Sequence, residues 1–310
     1  MFFRQPSATT DPVSTALLLF PDFALILIGS VLHRYGGFDE GFWRNLERLV
    51  YFVLFPALLF LSTATVKLDL SATTGLILTG WAASASGFAF GLLAMPLFRP
   101  DPLLFASGVQ TAYRFNSYIA LAIAGRLADS SGIALMALLI GFNVPLLNAA
   151  SVLMLARHRK TNVLREMARN PLIIATVSGL AFNLLGLSVP EFGALILNRL
   201  GSASIALGLI AVGAGLRIAH GIPERAMVAW FLAAKLAFMP IVAWLLARHI
   251  GLPPLQQQIV LMFAALPTAS SAYILAVRMG GNGPIVAFLI SAGTLISLAS
   301  LPLWLSLLRQ

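Results

Sequence analysis

The amino-acid sequence predicts an all-α polytopic membrane protein with ten transmembrane helices, arranged as two inverted five-helix repeats. Three observations support this fold class: the composition, a series of apolar segments, and a short phrase that occurs once in each half of the chain. Of the 310 residues, 59% are hydrophobic and 10% are charged, and the mean hydropathy is +0.91. Because a soluble domain typically carries about 25% charged residues, this composition excludes an ordinary soluble protein.

Ten apolar segments have approximately the 20 residues that a helix needs to cross a bilayer. We number them spans 1 to 10, with approximate bounds 15–33, 45–65, 72–97, 103–124, 132–156, 170–188, 194–216, 226–247, 255–277 and 284–307. The sequence thus divides into an N-terminal five-helix repeat (1–156), a basic central loop (157–169) and a C-terminal repeat (170–310).

The distribution of Lys and Arg predicts the orientation, because cytoplasmic loops of membrane proteins are enriched in these residues. With the central loop inside and both termini outside, twelve basic residues lie on the cytoplasmic side and six on the other. Two more, Arg114 and Lys235, lie within spans. The loops therefore account for the net charge of +9, and we expect no nucleic-acid partner.

Spans 4 and 9 contain the same short phrase, and polar residues interrupt both. Span 4 reads Asn-Ser-Tyr-Ile-Ala-Leu-Ala at 116–122, and span 9 reads Ser-Ala-Tyr-Ile-Leu-Ala-Val at 271–277. The two phrases are half the chain length apart. Because five is an odd number, a duplicated five-helix unit inserts the second time in the opposite orientation. Paired interruptions in inverted repeats are typical of the binding sites of transporters.

Pro267 predicts a break in span 9, because proline lacks the backbone N–H and its ring clashes with the preceding turn. The freed backbone groups must line a protein cavity or be paired by polar side chains. A half-helix that begins at mid-depth also favours an anion at its N-terminus. The alternative is that Ser and Thr in these spans only allow close helix packing.

Arg114 is the strongest candidate for a substrate-binding residue. An arginine at the centre of a membrane span costs about 2.5–3.5 kcal/mol on insertion scales, so other interactions must offset this cost. The planar guanidinium binds a carboxylate through two hydrogen bonds, which makes an organic acid its natural ligand. The alternative is a structural arginine bonded to backbone carbonyls at a helix break.

Lys235, near the middle of span 8, is the second intramembrane cation. It is either a charge partner or proton-linked group at the site, or a long side chain that reaches toward a polar region. Of the eleven acidic residues, only Asp22 lies within a span, close to its outer end. This favours an anionic substrate over cation coupling through a carboxylate, although Na⁺ also binds neutral oxygen ligands.

Further polar residues of spans 5 and 10 either complete the cavity wall or bond neighbouring helices. They are Asn143, Asn148, Ser291, Thr294 and Ser297. The sequence lacks the HExxH, GxSxG and P-loop motifs, and its four His residues are scattered. We therefore expect no enzyme activity, no catalytic residue, no metal site and no cofactor.

Both phrases, with their flanking residues, resemble the auxin efflux carrier family, which includes plant PIN exporters and bacterial organic-acid permeases. The matching motifs are Arg-Phe-Asn-Ser-Tyr-Ile at 114–119, Pro-Thr-Ala-Ser-Ser-Ala-Tyr at 267–273, Asn-Pro at 170–171 and Leu-Gly-Ser-Ala at 200–203. The resemblance extends over nearly the whole chain. In PIN proteins the first motif is Asn-Pro-Asn-Ser-Tyr, so Phe115 stands where the helix-breaking proline would be.

The resemblance implies that spans 4 and 9 are broken and cross at mid-membrane. Spans 1, 2, 6 and 7 would form a scaffold, through which the protein forms a homodimer in the lipid bilayer. The other spans would form a mobile transport domain that works by an elevator mechanism. The short central loop is typical of the compact bacterial form, whose relatives are associated with malonate, malate and similar acids. We therefore expect a bacterial inner-membrane protein with both termini periplasmic.

The resulting expectation is a secondary transporter of small organic anions, either dicarboxylates such as malonate and malate or auxin-like acids. Arg114 would bind the substrate carboxylate. The half-helix amides and further polar residues would complete the site: Asn116, Ser117, Thr268, Ser270, Ser271, Asn143 and Lys235. Two alternatives remain open, a Na⁺-coupled symporter of the bile-acid transporter type and a membrane sensor that binds its ligand without transporting it.

Overall fold

The computed structural model describes residues 12–65, 70–155, 171–216, 224–269 and 271–307. Every regular element in these ranges is helical. We number the helices α1 (Pro12–Tyr35), α2 (Glu40–Thr65), α3 (Leu70–Leu92), α4 (Ala94–Phe98), α5 (Pro102–Gly108), α6 (Ser117–Leu155), α7 (Pro171–Leu184), α8 (Glu191–Ala214), α9 (Arg225–His249), α10 (Pro254–Ala265), α11 (Ser271–Arg278) and α12 (Gly283–Leu307). The predicted central loop 157–169 lies outside the described residues.

Six helical stretches are long and apolar enough to cross a membrane, judged by length and composition. They are α2, Thr73–Phe98, Pro102–Leu155, α8, α9 and α12. Two shorter apolar stretches, Phe23–Tyr35 and Ile174–Leu184, lie within predicted spans 1 and 6. The prediction of an all-α multi-pass membrane protein is confirmed. The count of ten spans and the inverted repeat remain predictions.

Helices α2 and α9 each contain one π turn, at Val50–Leu54 and Ala234–Phe238. A proline follows each turn, at Pro56 and Pro240. Because proline lacks an N–H, it leaves the carbonyl four residues earlier without its helical partner. For Pro240 this carbonyl belongs to Leu236, and it accepts a hydrogen bond from Trp304 Nε1 at 2.8 Å. Such turns frequently occur at functional sites, and the second one carries Lys235.

Three breaks interrupt the longer helical paths. A bend at Ala128 and Asp129, where Asp129 has φ +46°, divides α6 between predicted spans 4 and 5. Residues 113–116 separate α5 and its 3₁₀ extension (Val109–Ala112) from α6, within predicted span 4. Residues 266–269 leave the helical conformation after α10, and the chain is helical again in α11, within predicted span 9. Each phrase identified in the sequence therefore lies beside a helix break.

The helices pack as two groups. Helices α1, α2, α7 and α8 form the first group, and α3, α6, α9, α10 and α12 form the second. The backbones of α1 and α8 approach so closely that a Cβ at Gly29 or Gly213 would overlap a carbonyl oxygen of the facing helix. The two groups meet along α6, which packs against all four helices of the first group, and also where α12 packs against α1. The site described below lies along this boundary.

Candidate binding site

The two helix breaks contact each other in the interior of the protein. The backbone N–H of Asn116 donates to the carbonyl of Pro267 at 2.8 Å. The hydroxyl of Thr268 donates to the carbonyl of Thr111 at 2.7 Å. Backbone groups freed by a break in an apolar environment must find partners, and here each break supplies partners for the other.

The first break forms without a proline. Asn116 caps the N-terminus of α6, because its Oδ1 accepts hydrogen bonds from the backbone N–H groups of Tyr118 at 3.0 Å and Ile119 at 3.3 Å. Asparagine is among the preferred residues at this position. The ring of Phe115 is buried and packs edge-on against Phe263, with centroids 4.5 Å apart. The capped amides of Tyr118 and Ile119 thus already have a partner within the chain.

The second break follows from Pro267. The residue before a proline is disfavoured in the α-helical region. Leu266 accordingly has φ −61° and ψ 146°, which ends α10 at Ala265. The chain then continues as helix from Ser271.

Arg114 extends from the first break toward the second. Its Nη2 donates to Ser271 Oγ at 3.0 Å. Its Nη1 is buried and has no hydrogen-bond partner in the described part of the chain, where no carboxylate pairs with Arg114 either. The side chain is only 8% exposed. A buried charged donor without a partner is energetically costly, so Nη1 is the most conspicuous polar group of this region.

Arg114 lines a cavity of about 270 Å³ between the two helix groups. The other described lining residues are neutral: Tyr51, Phe115, Ser117, Val144, Leu147, Asn148, Val152, Leu172, Ala269, Ser271 and Leu275. Mostly apolar walls with a few convergent polar groups are typical of a small-molecule site. The arrangement suits a small anion that has one charged group and an apolar body.

The structure brings only some of the predicted residues to this cavity. Arg114, Ser117, Asn148 and Ser271 line it, together with Phe115. Asn116 and Thr268 lie in the two breaks, where their oxygens are used in the bonds described above. Ser270 lies outside the described residues.

Other predicted polar residues are elsewhere in the bundle. Asn143 accepts a hydrogen bond from Ser84 Oγ and donates to the carbonyl of Leu139. Lys235 donates to the carbonyl of Ala264 at 2.8 Å. Thr294 and Ser297 donate to carbonyls of their own helix. These contacts are structural bonds between or within helices.

Tyr51 lines the cavity from α2 and was missed by the sequence analysis. It lies in the π turn of that helix, five residues before Pro56. A tyrosine among apolar residues is normally interpreted as a core or interfacial residue, so the residue type alone does not indicate a binding role. The useful signal is the proline, which predicts an irregular turn and therefore an unusual side-chain direction.

A second, larger cavity of about 850 Å³ lies at the C-terminal end of α2, where Leu58 and Thr65 line it. Its lining includes Arg126, Asp129, Glu191 and Asn198, from α6 and α8. Between the two cavities, the rings of Phe55 and Tyr118 stack with centroids 4.8 Å apart and an interplanar angle of 14°. Gly208 of α8 lies against both rings, where a Cβ would be 3.1 Å from Phe55. We call these three residues the aromatic layer.

A polytopic helical bundle with two broken helices that meet beside a cavity is typical of membrane transport proteins. Comparison with known proteins agrees. Residues 151–305 match the family model described as membrane transport protein. The chain belongs to this family, the auxin efflux carrier family that its motifs resemble, and it is a transport protein and not an enzyme.

A curated relative supports this assignment along the rest of the chain. An uncharacterized transporter from Methanothermobacter thermautotrophicus is 24% identical over 290 residues. The alignment covers 90% of this chain and 94% of the relative. The similarity therefore includes the N-terminal half, which contains Arg114.

Proposed function

We propose that this protein is a secondary transporter of small organic anions and that Arg114 binds the substrate carboxylate. The observation that carries this proposal is the buried, unpartnered Nη1 of Arg114, a residue that lines the smaller cavity. Ser271 occupies Nη2, so the guanidinium retains a donor for a ligand. A carboxylate would neutralise the charge and supply the missing acceptor, and charge-assisted bonds of this kind are the stronger class.

The lining of the cavity favours a monocarboxylate with an apolar body. Arg114 is the one cation among the described lining residues, and Lys235 lies elsewhere, bonded to a carbonyl. A second carboxylate on the substrate would thus have no cationic partner there and would be desolvated at considerable cost. The apolar walls, which include Val144, Leu147 and Leu172, suit a hydrocarbon or aromatic portion. Auxin-like acids thus fit better than malonate or malate.

For the mechanism, we propose alternating access by an elevator movement in a fold of ten spans and two inverted repeats. The first helix group (α1, α2, α7 and α8) would act as the scaffold and the homodimer interface. The second group would carry Arg114 and Tyr118 past Phe55 and Gly208 of the first group and connect the site alternately to the two cavities. The membrane would be the bacterial inner membrane, with both termini periplasmic.

The direct test is charge movement in proteoliposomes exposed to mono- and dicarboxylates, without Na⁺ or a pH gradient. We expect currents with monocarboxylates for the wild type, none for Arg114→Ala, and a reduced current for Arg114→Lys, which retains the charge without the bidentate geometry. Arg248→Ala is the matched control. Arg248 is exposed, stacks on Trp244 at the C-terminal end of α9 and does not line the smaller cavity. Equal currents for Arg114→Ala and the wild type, with both correctly folded, would contradict the proposal.

A further inference from the structure

A second buried cation, Lys235, has no part in the site proposed above. We propose that Lys235 is a tethered cation: its ammonium occupies the C-terminal end of the half-helix α10, where cation-coupled carriers bind an ion from solution. Transport by this protein would consequently require no Na⁺. The inference rests on the proposed transport function, but its main test needs no transport.

The contacts of Lys235 are those of a bound cation. The residue is 2% exposed. Its Nζ donates to the carbonyl of Ala264 at 2.8 Å and lies 3.4 Å from Met239 Sδ. No carboxylate pairs with Lys235 within the described ranges. An isolated ammonium in the interior of a protein is strongly disfavoured, so a feature of opposite polarity must stabilise it.

That feature is the C-terminus of α10. The last four carbonyls of a helix lack intrahelical partners and carry the negative end of the helix dipole. Helix α10 ends at Ala265, because Leu266 has an extended conformation, so Ala264 lies in the last turn. The carbonyl of Ala264 is therefore a free acceptor at the negative end of a half-helix, within the protein interior. The ammonium of Lys235 satisfies it and supplies the opposite charge.

In transporters with discontinuous helices, the C-terminal ends of half-helices and unwound carbonyls coordinate Na⁺ or H⁺. Here the equivalent position holds the amino group of Lys235, which is covalently attached to the chain. The π turn Ala234–Phe238 keeps Lys235 in place, because the carbonyl of Leu236 is fastened by Trp304 of α12. The side chain of Lys235 thus acts as the ligand of this site, and dissolved Na⁺ could not bind there.

The test measures the thermal stability of the purified protein in NaCl, KCl or choline chloride of equal ionic strength. We expect one melting temperature for the wild type in all three salts, because its cation is already bound. Lys235→Ala should melt lower, and n-propylammonium chloride should raise its melting temperature by about 3 °C over choline chloride. n-Propylammonium replaces the atoms that this substitution removes, from Cγ to the ammonium.

Two further variants separate the charge from the volume of the side chain. Lys235→Met fills the space without charge and should remain destabilised in every salt. Met262→Ala, a neighbouring truncation of a fully buried side chain in α10, should be destabilised without any response to n-propylammonium. If Lys235→Ala does not express, Lys235→Met and the wild type still decide the question.

Three results would overturn the proposal: a wild type stabilised by Na⁺ over choline, a Lys235→Met variant as stable as the wild type, or an equal response of Lys235→Ala and Met262→Ala to n-propylammonium. Uptake assays add an independent reading. We expect equal wild-type uptake in Na⁺ and choline, and uptake by Lys235→Ala restored severalfold by n-propylammonium. An absence of all transport would count against the proposed function alone, since the stability measurements remain valid.

Discussion

The backbone nitrogen of Asn116 lies 2.8 Å from the carbonyl oxygen of Pro267, and this backbone hydrogen bond joins two helix breaks from opposite halves of the chain. The contact fixes the position of Arg114, which is two residues before Asn116. It also fixes the start of α11, where Ser271 accepts a hydrogen bond from the Arg114 guanidinium. The geometry of the candidate site therefore depends on how each break is stabilised.

Asn116 stabilises the first break as the N-cap of α6. Asn116→Ala removes the acceptor of the Tyr118 and Ile119 amides, and we expect the free energy of unfolding to fall by about 1–2 kcal/mol. Asn116→Asp retains an oxygen at the same position and should retain more of the stability. Chemical or thermal unfolding in detergent measures the difference. Equal stability of Asn116→Ala and the wild type would show that the cap is dispensable.

Much of this site could be predicted from residue chemistry. A proline predicts the break before Ser271, since its effect on the preceding residue is local and independent of the fold. Arg114 in an apolar span predicts a partner or a cavity, because the energetic cost of an unpaired membrane charge is large. The repeated phrase indicates that both features belong to one site. The structure agrees that Arg114, Ser117 and Ser271 line one cavity.

Other aspects could not be predicted because they depend on tertiary packing. To predict that Asn116 caps a helix and does not line the cavity, one must know where α6 begins. The contact of Lys235 with Ala264 depends on a π turn in one helix and the end of another. Tyr51 reaches the cavity from an irregular turn of α2. In each case the residue type is compatible with several positions, and the packing of another helix selects one.

Ser271 positions the guanidinium for the substrate. Ser271→Ala removes the acceptor of Nη2, so the guanidinium loses its fixed orientation. We expect a rise of about tenfold in the KM for organic-acid uptake, which corresponds to the loss of one hydrogen bond to a charged group. Because Ser271 is exposed to the cavity, the melting temperature should change little. Ser271→Thr keeps the hydroxyl and should keep a KM near the wild-type value.

The concentration dependence of uptake in proteoliposomes provides this measurement. An unchanged KM in Ser271→Ala would mean that Arg114 needs no support from the second break. A lowered melting temperature together with lost transport would indicate a structural role for Ser271 instead.

The aromatic layer predicts that the two cavities open to opposite sides of the membrane. The chain contains no cysteine, so a single introduced thiol is the only reactive one. Ser202 lines the larger cavity and Asn148 the smaller, on opposite sides of the stacked Phe55 and Tyr118. In intact cells, a membrane-impermeant maleimide should label Ser202→Cys rapidly and Asn148→Cys far more slowly, because Asn148 faces that side only in the alternate conformation of the proposed elevator movement. Inverted vesicles should give the opposite pattern.

This labelling experiment also tests the predicted orientation. Equally fast labelling of both thiols from one side would show that the layer does not separate the cavities. Labelling of Asn148→Cys alone in intact cells would reverse the orientation inferred from the basic loops.

Thr268 provides the second bond between the breaks, and its removal should separate stability from substrate binding. Its hydroxyl donates to the carbonyl of Thr111 at 2.7 Å, and the side chain is 3% exposed. Thr268→Val has a similar shape but leaves that buried carbonyl without its donor, which costs about 1–3 kcal/mol. Thr268→Ser keeps the hydroxyl and serves as the control. We expect the unfolding free energy to fall by this amount in the Val variant and by less in the Ser variant.

Because Thr268 does not line the smaller cavity, the KM of the folded fraction should stay near the wild-type value. A tenfold rise in KM with unchanged stability would instead make Thr268 a direct substrate ligand, as the sequence analysis expected.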